Sequence, residues 1–86
     1  MSTVVREAGF EIRIYLRDHP PPHVHVAKAG AIVKILLGTF ETFEILGNIG
    51  DHDVRRAERL VQKHSATLRA AWMRMHGERT TDRKRS

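Results

Sequence analysis

Eighty-six residues, 41% of them hydrophobic, suffice for one domain with a single modest core and for nothing larger. The absence of cysteine excludes a disulfide framework and a thiolate metal site, and no apolar run is long enough for a signal peptide or membrane span, so a cytoplasmic, bacterial-type protein with no membrane partner is expected. The net charge of +5 is uneven: residues 1–50 carry five Lys/Arg against five Asp/Glu, and residues 51–86 carry ten against five, which points to an acidic partner, nucleic acid or protein.

Residues 1–8 show no period and read as a frayed lead punctuated by Gly9. From residue 10, Phe10, Ile12, Ile14 and Leu16 alternate with Glu11, Arg13, Tyr15 and Arg17, the pattern of a strand with one buried face. Pro20, Pro21 and Pro22 then fix φ and remove three backbone donors, making a stiff connector that lies in no ladder or helix. Residues 23–28 and 31–37 read as two strands joined by Ala29-Gly30, a two-residue hairpin loop. That loop length sets Val24 against Ile35, Val26 against Val33 and Lys28 against Ala31. His25 then lies opposite Lys34 and His23 opposite Leu36, on the face away from the valines. Residues 38–41 form a turn, residues 42–46 a fourth strand with Phe43 and Ile45 alternating with polar neighbours, and Gly47-Asn48-Ile49-Gly50 ends the sheet.

Asp51 or Asp53 caps a helix that meets no Gly or Pro until Gly77, so one long helix is expected. At about 100° per residue, Val54, Ala57, Leu60, Val61, His64, Leu68, Ala71, Trp72 and Met75 fall within an arc of roughly 120°. Arg55, Arg56, Arg59, Lys63, Arg69 and Arg74 fall opposite. Trp72 is the largest apolar group and should anchor the packing. Residues 77–86 are polar and basic, a tail expected to be disordered.

The candidate site is Arg17-Asp18-His19-Pro20-Pro21-Pro22-His23-Val24-His25, which gathers three of the six histidines and all three prolines. Residues two apart on a strand share a face, so His23 and His25 stand side by side. Zinc and iron sites use this H-x-H spacing. A metal reading therefore takes His23 and His25 as ligands of a divalent transition metal, with His19 or Asp18 completing the set from across the prolines. A metal-free reading puts Arg13, Tyr15, His23, His25 and Lys34 on one open sheet face. There two imidazoles could act as acid and base, with Tyr15 and Lys34, in a small ribonuclease. Set against both is a structural role, in which neutral histidines bond carbonyls of the proline loop and fix its shape.

The other histidines read as structural. His64 sits within the apolar arc as a hydrogen-bonded core residue, His52 marks the helix start, and His76 the helix end, where a charged ring suits the dipole. The basic helix face has no interleaved aromatics, so base stacking is not supported.

The segment Asp18-His19-Pro20-Pro21-Pro22-His23-Val24-His25, followed by Gly30 and an apolar strand and then by Arg56, Leu60, Val61, His64, Leu68 and Trp72, resembles the small bacterial proteins grouped as domain of unknown function 4160. Their hallmark is D-H-x-P-P-H-x-H followed by a helix of V-x-x-x-H-x-x-x-L-x-x-x-W type. The resemblance covers residues 10–76 and implies no activity. It does imply genomic company: a short gene beside another small gene, similar to toxin–antitoxin pairs. The chain departs from the pattern in His52, in its basic tail, and in a Val61-to-His64 step of three rather than four, none of which touches the His-Pro segment.

These readings predict one α+β domain over residues 1–76, a four-stranded antiparallel meander packed on one long C-terminal helix. The leading functional expectation is a cofactor-free component of a toxin–antitoxin-like pair. It would bind the product of a neighbouring small gene, or RNA or DNA, through Asp18, His19, Pro21, His23 and His25 and through Arg55, Arg59 and Lys63.

Overall fold

A computed structural model describes residues 2–77, so the expected tail from residue 78 onward lies outside the described residues. Five strands, β1 (Ser2–Glu7), β2 (Phe10–Ile14), β3 (His23–Lys28), β4 (Ala31–Leu36) and β5 (Thr42–Leu46), form one antiparallel sheet in sequential order. Two helices follow, α1 (Asp51–Lys63) and α2 (Ser65–Trp72), and a π-helical turn spans Met73–Gly77. The α+β class and the meander are therefore as expected; the count of strands and helices is not. Among the described residues no helix is long and apolar enough to cross a membrane.

The β3–β4 hairpin has the expected register, with His23 opposite Leu36, Val24 opposite Ile35, His25 opposite Lys34 and Val26 opposite Val33. Ala29 and Gly30 both take positive φ, 49° and 86°, as a primed two-residue turn matched to strand twist requires. Alternation then puts Phe10, Ile12, Ile14, Val24, Val26, Val33 and Ile35 on one face, where Ala57, Leu60, Val61, Leu68, Ala71 and Trp72 close the core.

The expected frayed lead is strand β1. Ala8 and Gly9 repeat the Ala-Gly turn with φ of 54° and 84°, and β1 pairs with β2 from Ser2 opposite Ile14 to Glu7 opposite Phe10. The register shifts between Thr3 and Val5, so Val4 is an extra residue and the period-2 signal is lost. β2 ends at Ile14 rather than at residue 17, because Tyr15 and Asp18 close a turn, and Leu16 is left about half exposed at 52%.

The expected single helix is broken at His64, where φ and ψ are −104° and 20°. The His64 ring turns to β1, its Nε2 2.8 Å from Glu7 Oε1, while Lys63 Nζ donates to Glu7 Oε2 at 2.6 Å. His64 thus has its hydrogen bond, but its partner is on the first strand. These contacts, that of Lys63 first, hold the Glu7 carboxyl below its ordinary 4.5. A carboxyl whose folded value is depressed stabilises fully above its unfolded value and loses that contribution as pH falls through the folded one. Glu7→Gln should therefore lower Tm at pH 7, with wild-type and variant melts converging in strong acid. A gap that persisted to the acid limit would show that the carboxylate charge is not its source.

Candidate functional site

Asp18 is fixed by the backbone on both sides of its turn: its N–H donates to the Tyr15 carbonyl at 3.1 Å, and its Oδ2 accepts the Tyr15 N–H at 3.1 Å. The other oxygen, Oδ1, is thereby aimed at β3. His25 Nε2 lies 3.3 Å from it and His23 Nε2 3.7 Å. The proline connector, with a cis Pro20–Pro21 bond, carries the chain from this turn to β3. It also supplies the acceptor that orients His23, whose Nδ1–H donates to the Pro21 carbonyl at 2.9 Å. A carbonyl can only accept, so the Nδ1 proton is assigned and a neutral His23 presents a bare lone pair on Nε2.

The site is more enclosed than a strand face facing water. The Asp18, His23 and His25 side chains are 12%, 13% and 12% exposed, which corrects the expectation of an exposed histidine pair. Tyr15 meets the His25 ring edge-on at 4.5 Å, and the His23 ring contacts Phe43 at 5.5 Å and Trp72 at 5.6 Å. Burial pushes the His25 imidazole below its ordinary value, against the opposing pull of the Asp18 charge, and so favours the neutral ring.

One row crosses the sheet through this point: Arg13, His25, Lys34 and Glu44 are direct partners on β2, β3, β4 and β5. Each cation is paired with a carboxylate, Arg13 with Glu11 at 2.8 Å, which Arg6 also reaches at 3.4 Å, and Lys34 with Glu44 at 2.8 Å. The face expected for acid–base work is assembled, but its two cations are already balanced.

One donor atom from each of Asp18, His23 and His25 lies within 4.8 Å of the others. Ligand atoms about 2.0–2.2 Å from a tetrahedral ion stand roughly 3.3–3.6 Å apart. The His25–Asp18 separation falls in that range and the His23–Asp18 separation lies 0.1 Å above it, and three protein donors leave one position open. The outer contacts are of the kind that orient metal ligands, an imidazole N–H on a backbone carbonyl and a carboxylate oxygen on a backbone N–H.

Of the residues expected in the site, Asp18, His23 and His25 converge, Tyr15 packs edge-on against the His25 ring, Lys34 stands beside His25, and Pro21 contributes its carbonyl. His19 is exposed and is not among the converging donors, so the third donor is Asp18. Arg55 is exposed on α1; Arg59 and Lys63 line a separate depression with Glu7 and Phe10, at the opposite end of β2 from Tyr15. Sequence reasoning missed the ring cluster behind His23. His76 stacks on Trp72 at 3.9 Å, with its ring nitrogens 3.1 Å from the Trp72 carbonyl and 3.2 Å from that of Tyr15. The four-residue step from Trp72 to His76 was the available signal.

The model of a family described as a domain of unknown function (DUF4160) matches residues 9–73. No curated protein and no solved structure matches the chain.

Proposed function

The chain belongs to the DUF4160 family, and we propose that it binds a divalent transition metal through Asp18, His23 and His25. The observation behind this reading is the convergence of one carboxylate oxygen and two imidazole nitrogens within 4.8 Å of one another, with Asp18 and His23 each held by a further contact to the backbone. Two imidazoles and a carboxylate without thiolate suit zinc, iron(II), cobalt or nickel, and exclude the soft, sulfur-ligated centres. An ion held by three protein donors with an open position supplies Lewis acidity there. The chain's own part is to hold the three donors rigid and largely shielded from water. Elemental analysis of tag-free protein should find near-stoichiometric metal, and metal-free protein should take up added zinc. Failure to bind zinc, cobalt or nickel would overturn the reading.

A second reading is favoured by β5. Phe43, Ile45 and Leu46 are 49%, 45% and 46% exposed on an edge strand, a surface suited to strand addition. It suits a binding role in a toxin–antitoxin-like pair, with the product of a neighbouring small gene as partner. Co-expression of the two should yield a complex that survives purification, and Ile45→Lys should disrupt it; no complex in wild type sinks this reading.

A further inference from the structure

Beside the Asp18–His23–His25 cluster, on the far side of Pro21 and Trp72 from the metal-facing atoms, a groove of about 390 Å³ opens between the proline loop, the turn after β4, and α2. Pro22, Leu36, Leu37, Trp72 and Met73 make its wall almost wholly apolar, and Arg69 is the one charged residue lining it. That volume lies in the lower part of the range of small-molecule sites, roughly 300–1,000 Å³. We infer that the groove binds a small apolar monocarboxylate, its hydrocarbon chain or ring against Trp72 and Leu36 and its carboxylate on the Arg69 guanidinium.

Charge selects this occupant. Residues 65–77 contain Arg69, Arg74 and His76 and no acid, and among the described residues Arg69 has no carboxylate partner. One guanidinium nitrogen, Nη2, donates to the Leu37 carbonyl at 2.8 Å, which fixes the group at the groove, and among the described residues no other hydrogen bond takes up its five N–H donors. The nearest acid on the turn, Glu41, accepts from the Thr39 hydroxyl at 3.4 Å. An apolar wall with one oriented guanidinium is complementary to an apolar body with one anionic end. It disfavours polyanions, which would leave charge against Leu36, Leu37 and Met73.

The backbone around the groove fits a built feature rather than a gap in packing. Phe40, in the turn after β4, has φ of 65°, a left-handed conformation that a non-glycine residue keeps only where its surroundings impose it. Here Phe40 N–H donates to Leu36 O at 2.9 Å, Leu36 N–H to Glu41 O at 2.9 Å, and the Arg69 guanidinium lies 5.9 Å over the Phe40 ring. Turn and arginine hold one another in place.

Trp72 is the only tryptophan in the chain and reports on the groove directly. Titrating the full-length protein with decanoate below its micellar concentration should give a saturable, one-to-one change in Trp72 fluorescence. Affinity should rise roughly fourfold per methylene buried from hexanoate to decanoate. Decanol should bind at least tenfold more weakly than decanoate. Arg69→Gln should remove that preference, so that decanoate and decanol bind alike, and Arg69→Lys should keep part of it. Amide shifts on decanoate addition should cluster at residues 36–39 and 69–73, a readout that needs no variant to fold. A fluorescence change that never saturates, equal affinity for decanoate and decanol in wild type, or shifts clustered elsewhere would overturn the inference. Asp18→Asn should leave decanoate binding intact, which separates this result from the fate of the metal site.

Discussion

Trp72→Ala should cost about 3–5 kcal/mol, a large part of the roughly 5–15 kcal/mol that holds a small domain folded. Trp72 is 6% exposed and is packed from several sides at once: His76 stacks on it, His23 meets it from β3, and Leu68 and Ala71 extend the buried stripe along α2. Truncation removes the largest apolar group in the core and leaves a cavity where helix and sheet meet at the site end of the molecule. Leu68 and Ala71, both buried, hold α2 where it is, so collapse around the void should be limited. Urea unfolding followed by circular dichroism reads the loss directly, and the signal does not depend on the deleted indole. Met73→Ala, one residue on and 57% exposed, should change stability by less than about 0.5 kcal/mol. Equal small losses at Trp72 and Met73 would mean that α2 is not docked through the indole.

The parts of the fold legible from sequence are those whose signal is local. The β3–β4 hairpin is fixed by Ala29-Gly30 and by alternating valines and isoleucines, so its register, and with it His25 opposite Lys34, could be read residue by residue. β1 carries the same Ala-Gly turn at Ala8-Gly9, but the bulge at Val4 breaks its alternation, and a strand without its period reads as a loop. The break at His64 has no local signal, since neither Gly nor Pro marks it and its partner Glu7 lies 57 residues away. The site divides along the same line. His23 and His25 share a face by strand geometry alone. The choice of Asp18 over His19 depends on the Tyr15–Asp18 turn, whose two backbone contacts point one side chain inward and leave the other in water.

Asp18→Asn should abolish stoichiometric metal binding while leaving the fold close to wild type. The amide keeps an oxygen able to accept the Tyr15 N–H, so the turn that carries residue 18 is preserved. What is lost is the negative charge and the basicity of the oxygen that faces both imidazoles. Removing an outer partner of a metal ligand costs ~10–100-fold in affinity, and losing a ligand outright should exceed that. His25→Ala should be as severe for metal and costlier for stability, because it also takes away the ring that Tyr15 packs on and a hydrogen bond to Asp18. His19→Ala should do neither, since the exposed His19 stands outside the converging set. Isothermal titration with zinc and the visible spectrum of the cobalt(II) form measure the affinities; thermal melts of the metal-free proteins measure the fold. If Asp18→Asn bound zinc like wild type while His19→Ala did not, the ion would be held across the prolines by His19 and the carboxylate would be only a hydrogen-bond acceptor. If Asp18→Asn and His25→Ala lost metal together with their melting transitions, Asp18 and His25 would be structural groups that fix the proline loop rather than ligands.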